Sequence, residues 1–109
     1  MDPFHALAEP TRRRIVEMLA REGALSASDI GARFPVSAPA VSQHLKVLRE
    51  AGLVRVEKRA QQRIYSVNPE AMTEVEGWAR HIRELWDRRF DALDALLQAE
   101  QAKSPKESD

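Results

Sequence analysis

The chain contains no cysteine. Neither a disulfide, a thiolate-held metal nor a thiol redox switch can therefore operate in it. No stretch approaches the roughly 20 consecutive apolar residues of a membrane helix, and the first residues lack the charged-then-apolar layout of a secretory signal. A cytoplasmic protein is expected. Nucleophile–base pairings, glycine-rich phosphate loops and carboxylate dyads are also missing from the spacing, so no enzyme active site is expected. Net charge is formally zero over 109 residues. The balance is uneven, however: residues 1–66 carry eleven Lys and Arg against seven Asp and Glu, and residues 67–109 carry six against ten. Within residues 33–66 the count is seven against two, which places a modest positive surface on that segment. A chain this short supports one small domain, with little core to spare unless it dimerises.

What is present is concentrated in residues 28–54, which read as two short amphipathic helices joined by a turn. Ile30 and Phe34 recur at i and i+4, with Ser28 placed to cap the first helix. Pro35, Val36 and Ser37 make the turn. Ser37 can cap the second helix, Pro39 falls in its tolerant first turn, and Val41, Leu45 and Leu48 form one apolar stripe. Ala38, Pro39, Ser42, Gln43 and Lys46 then face away from that stripe. Short or hydrogen-bonding groups on the N-terminal half of a helix suit a DNA major groove, where bulk is excluded and base edges offer donors and acceptors. Gly52 supplies the stop. Gln43 is the residue best suited to reading adenine, because its amide can donate and accept at one base edge.

Residues 53–58 alternate apolar and charged, and residues 63–67 are read as a second half-buried strand. The intervening Arg59, Ala60, Gln61 and Gln62 carry no Asn-Gly or Asp-Gly signal, so a loop of three or four residues is expected rather than a tight two-residue turn. With Lys58 and Arg63 this makes a cationic wing, suited to phosphates or a minor groove. Further upstream, Asp2 and Pro3 start a short helix through Leu7. A second helix begins at Glu9-Pro10-Thr11, carries Ile15, Met18 and Leu19 on one face, and stops at Gly23. The triplet Arg12, Arg13 and Arg14 reads as a solvated face or a source of ion pairs to Glu9 and Glu17, with phosphate contact as the alternative.

The run from Phe4 to Ile15 (FHALAEPTRRRI), then Pro39 to Leu48 (PAVSQHLKVL), then Gly52-Leu53-Val54 and Arg63-Ile64-Tyr65, resembles the ArsR-type winged-helix repressors over residues 3–98. The resemblance implies a bacterial homodimeric regulator that binds double-stranded DNA at a palindromic operator. Its expected fold is mainly α with a two-stranded β-wing, a winged helix-turn-helix dimerised through N- and C-terminal helices. The DNA-binding set would be Ser37, Pro39, Ala40, Ser42, Gln43, His44 and Lys46 from the helix, and Arg59, Gln61, Gln62 and Arg63 from the wing. His44 lies near the inner edge of that helix, where local hydrogen bonding or phosphate contact suits it better than a metal. The expected organisation is a DNA-binding region over 1–68, a dimerisation helix over 69–99 and a disordered tail over 100–109.

That last helix, roughly 30 residues and on the order of 45 Å, is long for so small a domain. Trp78, Ile82, Leu85, Trp86, Phe90, Leu93 and Leu97 lie along its apolar stripe. A second copy of the chain would cover it; a tryptophan-lined ligand cage is the alternative reading. Some ArsR-like sensors hold a metal through Asp-x-His and, ten residues on, His-x-x-Glu or His-x-x-His. Here His81 and Glu84 match the second half, but Asn68 and Glu70 stand where Asp and His belong. No metal site and no cofactor is expected, His81 and Glu84 remaining weak candidates for a metal-responsive alternative. A winged helix recruited for protein binding is the other alternative.

Overall fold

The computed structural model describes residues 2–103. Helix α1 (Pro3–Leu7) is capped by the Asp2 carboxylate, which accepts from the Phe4 N–H at 3.0 Å. Helix α2 (Pro10–Glu22) is capped by Glu9 and opens on a proline, whose missing N–H costs nothing at a first helical position. It ends at Gly23, with φ 86°. Strand β1 (Leu25–Ser26) and helix α3 (Ala27–Gly31) lead to helix α4 (Ala38–Glu50). Strands β2 (Val54–Arg59) and β3 (Gln62–Val67) precede helix α5 (Pro69–Lys103).

The core gathers one face from each element. Ile15 and Leu19 of α2, Ile30 of α3, Leu45 and Leu48 of α4, and Leu53 are enclosed almost completely. Val41 is 4% exposed, so the whole expected stripe of α4 is buried. Burial of each such side chain contributes about 1.5–3 kcal/mol, and the outer face of α4 takes no part in it.

How α4 ends is as well determined as where it packs. Ala51 is its C-cap and Gly52 follows at φ 77°, while the Gly52 N–H donates to Arg49 O and the Leu53 N–H to Leu48 O, both at 3.0 Å. This is a Schellman closure, and its apolar partners Leu48 and Leu53 are both at 0% exposure. The chain thus leaves the helix directly into β2.

The sheet has three antiparallel strands in the order β1-β3-β2, so the two-stranded wing gains a short third strand. Tyr65 pairs with Leu25 on one side and Val56 on the other and is 5% exposed, which fixes the register of both neighbours. Ile64, next to it, sits opposite Ser26 and Glu57 on the other face and is half-buried.

Three local expectations are corrected. Ser26, not Ser28, caps α3, accepting from the Asp29 N–H at 3.1 Å; β1 brings Ser26 to the helix start and leaves Ser28 exposed within the first turn. Phe34 lies beyond the end of α3 and packs on the core from the turn. Arg59 pairs with Gln62, so the wing turn contains only Ala60 and Gln61 and is tight after all. Ala60 takes φ 56°, which follows the sign pattern of a type II′ turn usually started by glycine.

The chain divides into two compact units at Val75. Ala71 is buried and Met72 half-buried against the core of the first unit. From Glu76 to Ala102 every side chain of α5 is exposed in the single chain. Residues 100–103, expected in a disordered tail, continue α5, and the rest of that expected tail lies outside the described residues.

A Cβ added to Gly52 meets open space, so Gly52→Ala tests backbone strain alone. The left-handed conformation costs an L-residue about 1–2 kcal/mol. A loss of that size in urea unfolding is expected, and unchanged stability would show that α4 closes equally well another way.

Candidate nucleic-acid interface

The N-terminal half of α4 presents the residues singled out from the sequence. The Ser37 hydroxyl accepts from the Ala40 N–H at 3.3 Å, and Pro39 occupies the first turn, where no N–H is needed. Ser42, Gln43 and Lys46 are exposed, Pro39 is exposed, and Ala40 is half-buried. Between α3 and α4 runs an open groove of about 310 Å³ whose lining includes Ala27, Ser28, Gly31, Ala38 and Ser42. No bulky polar side chain fills it.

The wing stands close to the same surface. Gln61, Gln62 and Arg63 share a second groove of about 270 Å³ with Ser26, Ala27 and Ser28 at the start of α3. Lys58 and Arg63 are direct cross-strand partners, which puts two cations side by side without a carboxylate against either among the described residues. Arg59 is partly neutralised, because its Nη2 lies 3.0 Å from Glu57 Oε1. Elsewhere Arg33, in the turn before α4, pairs with Glu22 of α2. That guanidinium holds the Glu22 carboxyl below its ordinary range against the opposing effect of desolvation.

His44 turns back toward the scaffold. Its side chain is 19% exposed, and Nδ1 lies 3.4 Å from Arg12 Nη1 and 3.8 Å from Glu9 Oε2. Arg12 also donates from Nε to the Ala6 carbonyl at 2.7 Å. One guanidinium therefore joins the end of α1 to the middle of α4. Desolvation raises the Glu9 pKa, but the N–H groups of Thr11 and Arg12 and the nearby His44 outweigh it, leaving the carboxyl below its ordinary 4.5. The cap's contribution is complete above that ordinary value and is lost only as pH falls through the lower folded value.

Arg12 is the residue that sequence reasoning placed wrongly, as a member of a solvated triplet; Arg13 and Arg14 are the exposed ones. Helical side chains lean toward the N-terminus, so an arginine in the first turn of α2 reaches back over the unsatisfied carbonyls that end α1. The break at Ala8-Glu9-Pro10 was the available signal.

On α5, Trp78, Trp86, Phe90 and Leu97 are each more than half exposed, as is Leu96, while Leu93 is 50% and Ile82 and Leu85 slightly over 40% exposed. Trp86 and Phe90 meet edge to face with centroids 5.0 Å apart. With Arg89 and Leu93 they line a depression of about 200 Å³. His81 and Glu84 are both exposed, and among the described residues no three His, Asp or Glu side chains converge as a metal site would require.

Comparison with known proteins places these features in context. Residues 7–57 match a family model described as a helix-turn-helix domain. An HTH-type transcriptional regulator of Mycobacterium tuberculosis is 37% identical over 97 residues, covering 89% of this chain and 87% of the relative. A transcriptional repressor of Bacillus subtilis, SdpR, is 33% identical across 69% of this chain and 82% of its own. Among solved structures, an ArsR-like transcriptional regulator from Rhodococcus sp. superposes with a TM-score of 0.73 at 32% identity, over 85% of this chain and 87% of that one.

Substituting Arg12 by alanine leaves the Ala6 carbonyl and His44 without their cationic partner. Hydrogen bonds to charged groups contribute about 1.5–3 kcal/mol, and a loss in that range is expected in urea unfolding. Arg12→Lys should recover only part of it, since an ammonium lacks the planar fork that reaches both partners. Full recovery by lysine would show that charge alone matters.

Proposed function

Because this chain belongs to the ArsR-type helix-turn-helix transcriptional regulators, we propose that it represses transcription as a homodimer, with α4 in the major groove and the wing on the flanking phosphates. One observation carries the reading. The face of α4 that the core does not use displays Ser37, Pro39, Ser42, Gln43 and Lys46, beside the paired wing cations Lys58 and Arg63. Gln43 reads a base edge, Ser42 and the small residues admit the duplex, and Lys46, Lys58 and Arg63 neutralise phosphate. His44 serves this face from behind, by fixing α4 to Arg12.

The second copy covers the apolar face of α5. Eight large side chains from Trp78 to Leu97 are too extensive an apolar surface for a lone soluble domain, and pairing two copies sets two reading helices about one DNA turn, roughly 34 Å, apart. Such a spacing calls for a palindromic operator. The absence of cysteine confines any inducer to non-thiol chemistry.

Two measurements test this. Titrating the protein against the DNA upstream of its own gene and against random duplex should show preference for the former, and Gln43→Ala should shrink that preference by about 1–3 kcal/mol, the worth of one bidentate base contact. Equal weakening on both DNAs would remove Gln43 from base reading. Leu93→Asp should give a monomer by sedimentation and abolish tight operator binding; a fully active dimer would place the interface elsewhere.

A further inference from the structure

Asn68, the residue standing where metal-sensing relatives are expected to carry an aspartate ligand, has partners of another kind. Its side-chain Nδ2 donates to the Gly52 carbonyl at 2.7 Å, and its Oδ1 accepts from the Glu70 N–H at 3.3 Å. Its backbone N–H donates to Leu53 O at 2.9 Å, and its own carbonyl accepts from the Ala71 N–H at 3.2 Å. Gly52 is the left-handed residue that closes α4, and Glu70 and Ala71 lie in the first turn of α5. A single half-buried amide therefore straps the end of the reading helix to the start of the helix assigned to dimerisation. The Glu70 carboxylate adds an ion pair to Arg55 of β2 on the outside of the same joint.

We propose that Asn68 is a positioning residue for operator recognition: by stiffening the joint between α4 and α5 it sets how tightly two heads bind one palindrome, without itself touching DNA. The proposal rests on the dimeric DNA-binding reading above. Once one head of a dimer is bound, the second binds intramolecularly, at an effective concentration that depends on how firmly the two heads are held. Slack at this joint lowers that effective concentration. It leaves the contacts of a single head with a half-site unaltered.

The variants separate the strap from the cap. Asn68→Asp keeps an acceptor for the Glu70 N–H but has no N–H for the Gly52 carbonyl, whereas Asn68→Ala removes both. The DNA probes are a palindromic duplex selected from random sequence by the wild-type protein, and the half-site cut from it. Loss of the strap is expected to weaken full-site binding about tenfold in both variants while half-site binding changes less than about threefold, with an unchanged dimer dissociation constant by sedimentation. Asn68→Asp that behaves as wild type on the full site overturns the inference, as does an equal loss on full and half sites or a loss traced to unfolding in a melt. A wild-type protein that yields no preferred palindrome, or binds it no better than the half-site, would instead overturn the dimeric reading.

Discussion

Burial of the Val41, Leu45 and Leu48 stripe is the constraint on which the rest depends. These side chains lock α4 into a core built from Ile15, Leu19, Ile30 and Leu53, and in doing so they fix the rotation of the helix about its axis. Once that rotation is set, Ser42, Gln43 and Lys46 have only the outside to face. Packing and presentation are two results of one amphipathic period. Leu48 carries a further duty, since its carbonyl receives the Leu53 N–H and its side chain is the apolar half of the helix closure.

Around this helix the scaffold supplies restraints at both ends and at the middle. Ser37 caps the start, Arg12 reaches His44 at the centre, and Asn68 holds the carbonyl of Gly52 at the exit. The restraints at His44 and Asn68 use polar groups already half withdrawn from water, where an unmade hydrogen bond is costly, whereas the Ser37 cap is exposed. The wing, by contrast, is held chiefly by its own ladder, with Lys58 and Arg63 near its tip. Stability is concentrated at the reading helix and charge at the hairpin.

Features governed by near neighbours in the chain were legible in the sequence. The helix starts at Asp2 and Glu9, the cap at Ser37, the stops at Gly23 and Gly52, and the stripes of α2 and α4 each follow from residue chemistry within a turn or two. Those that depended on a distant strand were not. Leu25 and Ser26 are too short a pair to show a period, and only pairing with Tyr65 and Ile64 makes them a strand; that pairing then selects Ser26 over Ser28 as the cap of α3. The tight wing turn was hidden because alanine is a poor advertisement for positive φ, and the ladder to Gln62 overrides that preference. Of the candidate site, the exposed set on α4 stands where the periodicity put it, whereas the scaffold roles of Arg12, His44 and Asn68 needed three dimensions. Asn68 was noticed only for the ligand it is not.

Among the described residues, the outward side chains of α4 make no hydrogen bond that holds the fold together, apart from the capping serine. Ser42, Gln43 and Lys46 can be exchanged one at a time without opening a cavity or stranding a buried polar group. The folding problem and the reading problem are therefore written in separate alphabets on the same thirteen residues of α4. A lineage carrying this scaffold can drift through alternative DNA preferences by single codon changes, each intermediate remaining a folded protein.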